Sequence, residues 1–387
     1  MMRTFYKILH TTCETRWGVT EKRIFNELIW MVDKGHTLIL VCPKDTPLFL
    51  KAKDYGIKVY GIDFKPFSIL KNYQFLKNFF YNEKPDIIHA HGKYDSRIAL
   101  YAARKLKVPL RILTYHGNYR IRKTPWNRMV FNRLCHYIFT GSRYTTGYLQ
   151  KLFKLKDMRA FTMPAGIIEP EIFPEKIEAR QRLALEMGLN PETKFIGFSG
   201  RLSKNKGIST LLAAFQTVNA RFPEYHLVMS GEGVGETLKI LKAMTMGLKI
   251  ETSVHFIEEK EDPWPFFRAL DCHVLPSLSI KDEDFSQKRQ SMLCAMLCET
   301  PVIGPASDPA ADILVHEKTG LVYEEFNSPD LADKIFQTLK EKDSSGERLE
   351  TARNFVKKHH TMDTLGRDII RIYSLHQIRR GRPTFQD

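Results

Sequence analysis

Short apolar runs bounded by turn residues recur along this chain with helical patterns between them, and that alternation limits the fold more than any other feature. In the first half the runs are YKILHTT, TLILVCP, IKVYGID, DIIHAHG, LRILTYH and YIFTGS. From Lys194 a second set begins: KFIGFSG, HLVMSGEG, VHFIE, DCHVLPS, TPVIGP and TGLVYE. Repeated strand, helix, strand units demand a parallel sheet covered on both faces, with right-handed crossovers. Between the two sets, PAGIIEPEIFPEK from Pro164 to Lys176 is rich in proline and has no period, so it reads as a linker.

The expected fold class is therefore α/β, as two Rossmann-like, doubly wound parallel-sheet domains. The first covers 1–165 and the second 166–360, with a helical tail, about 361–387, expected to pack back on the first. Two such sheets facing across a cleft bring together the carboxyl ends of their strands, where open α/β sheets bind ligands.

The length of 387 residues suits two or three domains, and 43% hydrophobic with 27% charged residues is the balance of a soluble globular protein. No stretch approaches the run of about 18 apolar residues that a membrane span needs. The amino terminus MMRTFYKILHTT lacks a long apolar region and a small-residue cleavage site, so a cytoplasmic protein is expected. The cysteines, Cys13, Cys42, Cys135, Cys272, Cys294 and Cys298, stand in apolar contexts without a Cys-x-x-Cys or Cys/His ligand spacing. They are expected to be reduced and buried, and no metal site is expected.

The net charge of +15 is concentrated in one half of the chain. Residues 1 to 160 hold 30 Lys+Arg against 11 Asp+Glu, or +19, and the remainder holds 29 against 33, or −4. Two basic segments there are laced with aromatic residues. Phe64 to Lys84 carries Lys71 and Lys77 among Phe67, Leu70, Phe75 and Phe79. Arg120 to Arg133 carries Arg120, Arg122 and Lys123 beside Trp126 and Phe131. One reading is a surface resting on anionic lipid head groups or holding an anionic acceptor; the other is ordinary core aromatics with solvated lysines. Nucleic acid is not expected as a partner, since no recognition helix or stacking motif is evident.

One run carries a more specific chemistry. FSGRLSKNKGISTLLAAF, Phe198 to Phe215, reads as a strand, then a turn with Gly200, Arg201, Lys204, Lys206 and Gly207, then a helix with Ile208, Leu211, Leu212 and Phe215 on one face. Two cations and a helix amino terminus converge there, an arrangement suited to a phosphate or diphosphate. A solvated basic loop is the plainer alternative. His89 and His91, near the end of DIIHAHG, are expected to point to opposite faces of their strand, so that at most one reaches the cleft.

Together these segments resemble the retaining glycosyltransferases of family 4, which have the GT-B fold. The resemblance rests on Gly200-Arg201 and Lys206-Gly207, followed in order by LVMSGEG (Leu227 to Gly233), VHFIE (Val254 to Glu258), DCHVLPSL (Asp271 to Leu278), AMLCETPVIGPAS (Ala295 to Ser307) and HEKTGLVYE (His316 to Glu324). In the first half RWGVTEKRIFNEL (Arg16 to Leu28), DKGHTLILV (Asp33 to Val41), DIIHAHG, TYHGNY (Thr114 to Tyr119) and PAGI (Pro164 to Ile167) are similar in order and spacing.

The resemblance implies transfer of a sugar, with retention, from a nucleoside diphosphate sugar to a cell-envelope glycan or lipid-linked acceptor, as in lipopolysaccharide or polysaccharide biosynthesis. It implies no cofactor beyond the donor substrate. Arg201 and Lys206 would neutralise the leaving diphosphate, Gly18 would let backbone approach it, and His116 would lie beside the donor sugar. Gly231, Glu232, Phe256, Ile257, Glu283, Asp284, Phe285 and Ser286 would bind the donor's sugar or nucleotide. Attachment at the inner face of the cytoplasmic membrane would follow from the basic first domain. The sequence departs from the family where a glutamate that usually holds the ribose is replaced by Cys294, and Ala165 stands where the family has asparagine. A catalytically degenerate homologue, acting as a membrane-surface or polyanion-binding protein, is the alternative reading.

Overall fold

All strand pairing within the two sheets is parallel, as the alternating runs require. The computed structural model describes residues 5–117, 121–202, 207–231, 233, 235–277, 285–306, 311, 313–341 and 346–379. The chain divides into two compact units, 1–168 with 362–387, and 169–361.

The first unit holds β1 (Lys7–Thr11), β2 (Thr37–Cys42), β3 (Lys58–Gly61), β4 (Ile87–Ala90), β5 (Leu110–Tyr115), β6 (Tyr137–Thr140) and β7 (Ala160–Thr162). Their order in the sheet is β3-β2-β1-β4-β5-β6-β7. The direction of winding reverses between β1 and β4, the topological switch point. β7 was not expected from the sequence: AFT is too short to carry a period, and only its pairing with β6 makes it a strand.

Both faces of this sheet are apolar. Leu9, Ile39, Ile88 and Leu113 pack with Leu76, Phe79 and Phe131 on one face. Ile8, Leu40 and Ile112 pack with Ile24, Leu28 and Met31 on the other. That second cluster also takes in Met362, Leu365, Ile369 and Tyr373 of the terminal Met362–Arg379 helix. Trp30 donates to Asp363 at 2.7 Å, and the missing side chain of Gly366 makes room for the Trp30 ring.

The second unit holds β8 (Lys194–Ser199), β9 (Tyr225–Ser230), β10 (Val254–Ile257), β11 (Cys272–Val274), β12 (Val302–Pro305) and β13 (Leu321–Tyr323). Here the order is β10-β9-β8-β11-β12-β13, with the reversal between β8 and β11. The helix Ile208–Arg221 buries Ile208, Leu211, Leu212 and Phe215 against Ile196, Phe198 and Met229, the face its spacing predicts. All six cysteines are free thiols; five are buried and Cys13 is half-buried.

Candidate active site

In the second unit the carboxyl edge at the switch point is built from glycines that let backbone approach backbone. Gly200 follows β8 with φ of +149°, and its amide donates to the Ser230 carbonyl at 2.9 Å. A side chain on Gly231 would lie 1.9 Å from the Gly200 carbonyl oxygen, so the turns after β8 and β9 touch only because residue 231 is glycine. The Gly231 amide in turn donates to the Ile257 carbonyl at 3.0 Å, tying in the end of β10, where Phe256 and Ile257 are half-buried.

Gly207 caps the Ile208–Arg221 helix at φ +68°, and a side chain there would stand 2.2 Å from the Pro276 carbonyl oxygen after β11. The amino terminus of that helix is thereby pressed against the carboxyl edge of the sheet, where its unpaired amides favour an anion. Arg201 is exposed at the same edge. Lys288, from the helix Phe285–Leu297, is fully buried and donates to Ser277 Oγ at 2.9 Å. Its ammonium thus stands just past β11, beside the Gly207 turn. Lys206, Glu232, Glu283 and Asp284 lie outside the described residues, as do the side chains of Phe285 and Ser286, whose backbone opens the helix.

The first unit has its own polar centre at the β1/β4 switch point. Gly18 caps the Val19–Asp33 helix in an extended conformation that any residue adopts, φ −138°. Its amide is already engaged, donating to Glu21 Oε2 at 2.8 Å. Burial pushes the Glu21 carboxyl up to about 7. His116, directly after β5, is half-buried, with Nε2 3.1 Å from His91 Nδ1. His91 Nε2 lies 2.9 Å from His10 Nδ1 on β1.

Burial holds the His10 imidazole down at about 3 and those of His89, His91 and His116 well below the ordinary histidine range, with Arg23 adding to the effect on the last three. All four are neutral at pH 7. The expectation that His89 and His91 face opposite ways is wrong: their rings are 4.3 Å apart, because residues two apart on a strand share a face.

The description Glycosyl transferases group 1 matches residues 180–359, and Glycosyltransferase Family 4 matches residues 20–168. The chain belongs to glycosyltransferase family 4. Its fold is GT-B: it matches a glycosyltransferase from Rickettsia africae at TM-score 0.85 and 19% identity, covering 96% of this chain and 98% of that one. Anabaena Alr3699/HepE, solved in complex with UDP, matches at 0.79 and 16%, covering 95% and 99%. Among curated relatives, the lipopolysaccharide core biosynthesis mannosyltransferase LpsB of Rhizobium meliloti is 25% identical over 241 residues, 60% of this chain and 63% of that protein. The chain spans 61%, 42% and 63% of the lengths of three curated relatives it matches.

In this family 4 glycosyltransferase, Cys294 is 3% exposed in a helical stretch buried on every side, with Leu293, Ala295, Met296 and Leu297. It is a core residue, and the carboxylate it replaces is not restored at that position. The basic segments divide between the two readings. Phe79 and Phe131 are buried in the first core and take no part in a surface. Phe67 and Leu70 are 101% and 72% exposed, and with Lys71, Lys77 and Tyr81 they form a solvent face of the Ile69–Glu83 helix and the turn before it. Arg122, Lys123 and Trp126 are exposed, and Arg120 lies outside the described residues. Among the described residues no helix is long and apolar enough to cross a membrane.

Sequence reasoning missed the pairing of His10 with His91 and the Arg23–Glu27 pair, whose Nε to Oε1 distance is 2.8 Å. The available signals were the His-x-His spacing in DIIHAHG and the i,i+4 spacing of Arg23 and Glu27.

Proposed function

We propose that this protein is a retaining glycosyltransferase that moves a sugar from a nucleoside diphosphate sugar to a cell-envelope glycan or lipid-linked acceptor. The observation that carries the reading is the anion cradle at the β8/β11 edge: Gly200, the exposed Arg201 and a helix amino terminus held in place by Gly207. Departure of a nucleoside diphosphate builds negative charge as the anomeric carbon becomes electron-poor, and preorganised cations and amides at the leaving oxygens lower that barrier. Arg201, Lys206 and the first amides of the Ile208–Arg221 helix take this role, without need of a divalent ion at the diphosphate. UDP in the Anabaena relative and the lipopolysaccharide role of the Rhizobium relative support a nucleotide donor and an envelope acceptor.

His116 supplies a neutral hydrogen-bonding group for a sugar hydroxyl. No carboxylate nucleophile is assigned; the leaving phosphate itself accepts the proton of the attacking hydroxyl on the same face, which retains configuration. Phe67, Leu70, Lys71 and Lys77 support a peripheral contact with anionic lipid at the inner face of the cytoplasmic membrane. The buried Cys294 favours one second reading, a homologue that binds its surface ligand without turnover.

A panel of uridine, guanosine and adenosine diphosphate sugars tests the choice. Binding and slow hydrolysis of one donor is expected, falling about 100-fold or more in Arg201→Ala and Lys206→Ala. Failure to bind any of them would favour the second reading.

A further inference from the structure

Three buried side chains of the first unit lie together, and each carries one polar atom without a partner. They are His10 on β1, His89 on β4 and Glu27 on the Val19–Asp33 helix, all 0% exposed. Nε2 of His10, Nδ1 of His89 and Oε2 of Glu27 have no hydrogen-bond partner. Oε2 of Glu27 lies 4.0 Å from Nδ1 of His89. One ligating atom from each of these residues and one from His91 all lie within 4.8 Å of one another.

The second polar atom of each residue is committed elsewhere. His10 Nδ1 pairs with His91 Nε2 at 2.9 Å, His89 Nε2 with Thr114 Oγ1 at 2.6 Å, and Glu27 Oε1 accepts from Arg23 Nε at 2.8 Å. These contacts are compatible with the following set of tautomers. His10 donates through Nδ1 to His91, His91 through Nδ1 to His116, and His89 through Nε2 to Thr114. In that set three lone pairs are left without a partner in a dry interior, and a cation bound among them would satisfy all three.

We propose that His10, His89 and Glu27 bind a divalent transition metal ion, of the zinc class, with His91 in support. An ion held at bonds of about 2.0–2.1 Å spaces tetrahedral ligands roughly 3.3 Å apart, so each atom moves inward by less than about 1 Å. Engagement of the opposite nitrogen or oxygen of every ligand by a neighbour is the outer shell such sites require. Both nitrogens of His91 are occupied, so it orients His10 and does not ligate directly. Arg23 neutralises Glu27, leaving the two imidazoles as the main attraction, and this selects a nitrogen-seeking ion over Mg2+ or Ca2+. The ion is structural: it pins the helix that begins at Gly18 to β1 and β4, and it is distinct from the diphosphate cradle of the other unit.

The test uses the full-length protein. Bound metal is measured by mass spectrometry, removed with a chelator, and replaced by Zn2+ or by Co2+, whose visible absorption reports coordination. About one ion per chain, a Co2+ spectrum, and a Tm that falls on stripping and recovers with Zn2+ are expected. Glu27→Gln and His89→Gln should bind the ion at least about 100-fold more weakly, and Thr114→Val, which removes only the partner of His89, about 10–100-fold. If the ligand variants fail to fold, Thr114→Val and the chelation cycle on the unaltered protein still decide. His226→Gln, in the separate His226/His255 pair, should leave binding unchanged.

Absence of stoichiometric metal, of a Co2+ spectrum and of any Tm response would overturn the proposal in favour of a buried water, whose hydrogen-bonding partners can stand about 4.6 Å apart. An ion unaffected by Thr114→Val and the ligand variants, or lost with His226→Gln, would overturn it equally.

Discussion

His116 Nε2 lies 3.1 Å from His91 Nδ1, with the two rings stacked at 5.4 Å between centroids. One nitrogen of His116 is thus engaged inside the protein, and Nδ1 is the atom that the proposed function gives to a sugar hydroxyl. His116→Ala should cut donor turnover by about 100-fold. His91→Phe keeps the ring volume and removes the hydrogen bond, and about a tenfold fall in kcat with little change in KM is expected. Steady-state kinetics on the donor found by the panel measures both, and unaltered kcat in His91→Phe would show that the pair only fills space.

The pH dependence of stability has two opposed parts. Burial holds His10, His273 and His360 at about 3 and His89, His91 and His116 well below their ordinary value. Below pH 6.5 the unfolded chain takes up protons that these native groups refuse, so their contribution is complete above 6.5 and is lost as pH falls. Tm should therefore drop between pH 7 and 5. Glu21 works the other way: with its native value raised to about 7, the folded state holds the extra proton below that pH, and its contribution is lost as pH rises through 7. Glu21→Gln keeps an acceptor for the Gly18 amide, and its Tm relative to the unaltered protein should be higher at pH 8 than at pH 5. Thermal scans across that range would detect a flat difference, which would contradict the assignment.

Gly207→Ala tests the helix start. It adds a side chain at φ +68° that meets the Pro276 carbonyl oxygen at 2.2 Å, backbone that cannot swing away. A loss of roughly 2 kcal/mol or more is expected in denaturant melts. Donor affinity should fall with it, because the turn that carries Arg201 leads into this helix.

Vesicle sedimentation tests the exposed face of the Ile69–Glu83 helix. Phe67 and Leu70 are the apolar part and Lys71 and Lys77 the charged part. Phe67→Ser with Leu70→Ser should lower binding to anionic vesicles by at least about tenfold at any ionic strength, since each removes a side chain able to enter the interface. Lys71→Gln with Lys77→Gln should lower it most at low salt. Binding indifferent to all four would return this face to solvent.

The two sheets were legible residue by residue. Among the described residues twelve of the thirteen strands coincide with apolar runs, and the buried face of the Ile208–Arg221 helix is the one its spacing marks, since both follow from local periodicity. The seventh strand was not legible, because Ala160–Thr162 is a strand only by virtue of its neighbour. Aromatic residues in a basic segment look alike in sequence. Phe79 and Phe67 are twelve positions apart in one such segment, yet one is core and the other fully exposed, because Phe67 precedes the helix that carries Phe79 inward.

What the sequence by itself determined was the strand and helix order, the break between the two units, and the Gly-Arg turn before a helix, all of which depend on residues close in the chain. Only the tertiary structure decided that Lys288 reaches Ser277, and that His10, Glu27, His89 and His91 form one buried group with the half-buried His116 at its edge. His10 and His89 are register partners because β4 lies beside β1, with β2 and β3 wound away on the other side. Strand order is set by how crossovers pack over a whole sheet, and that information is carried by no single segment.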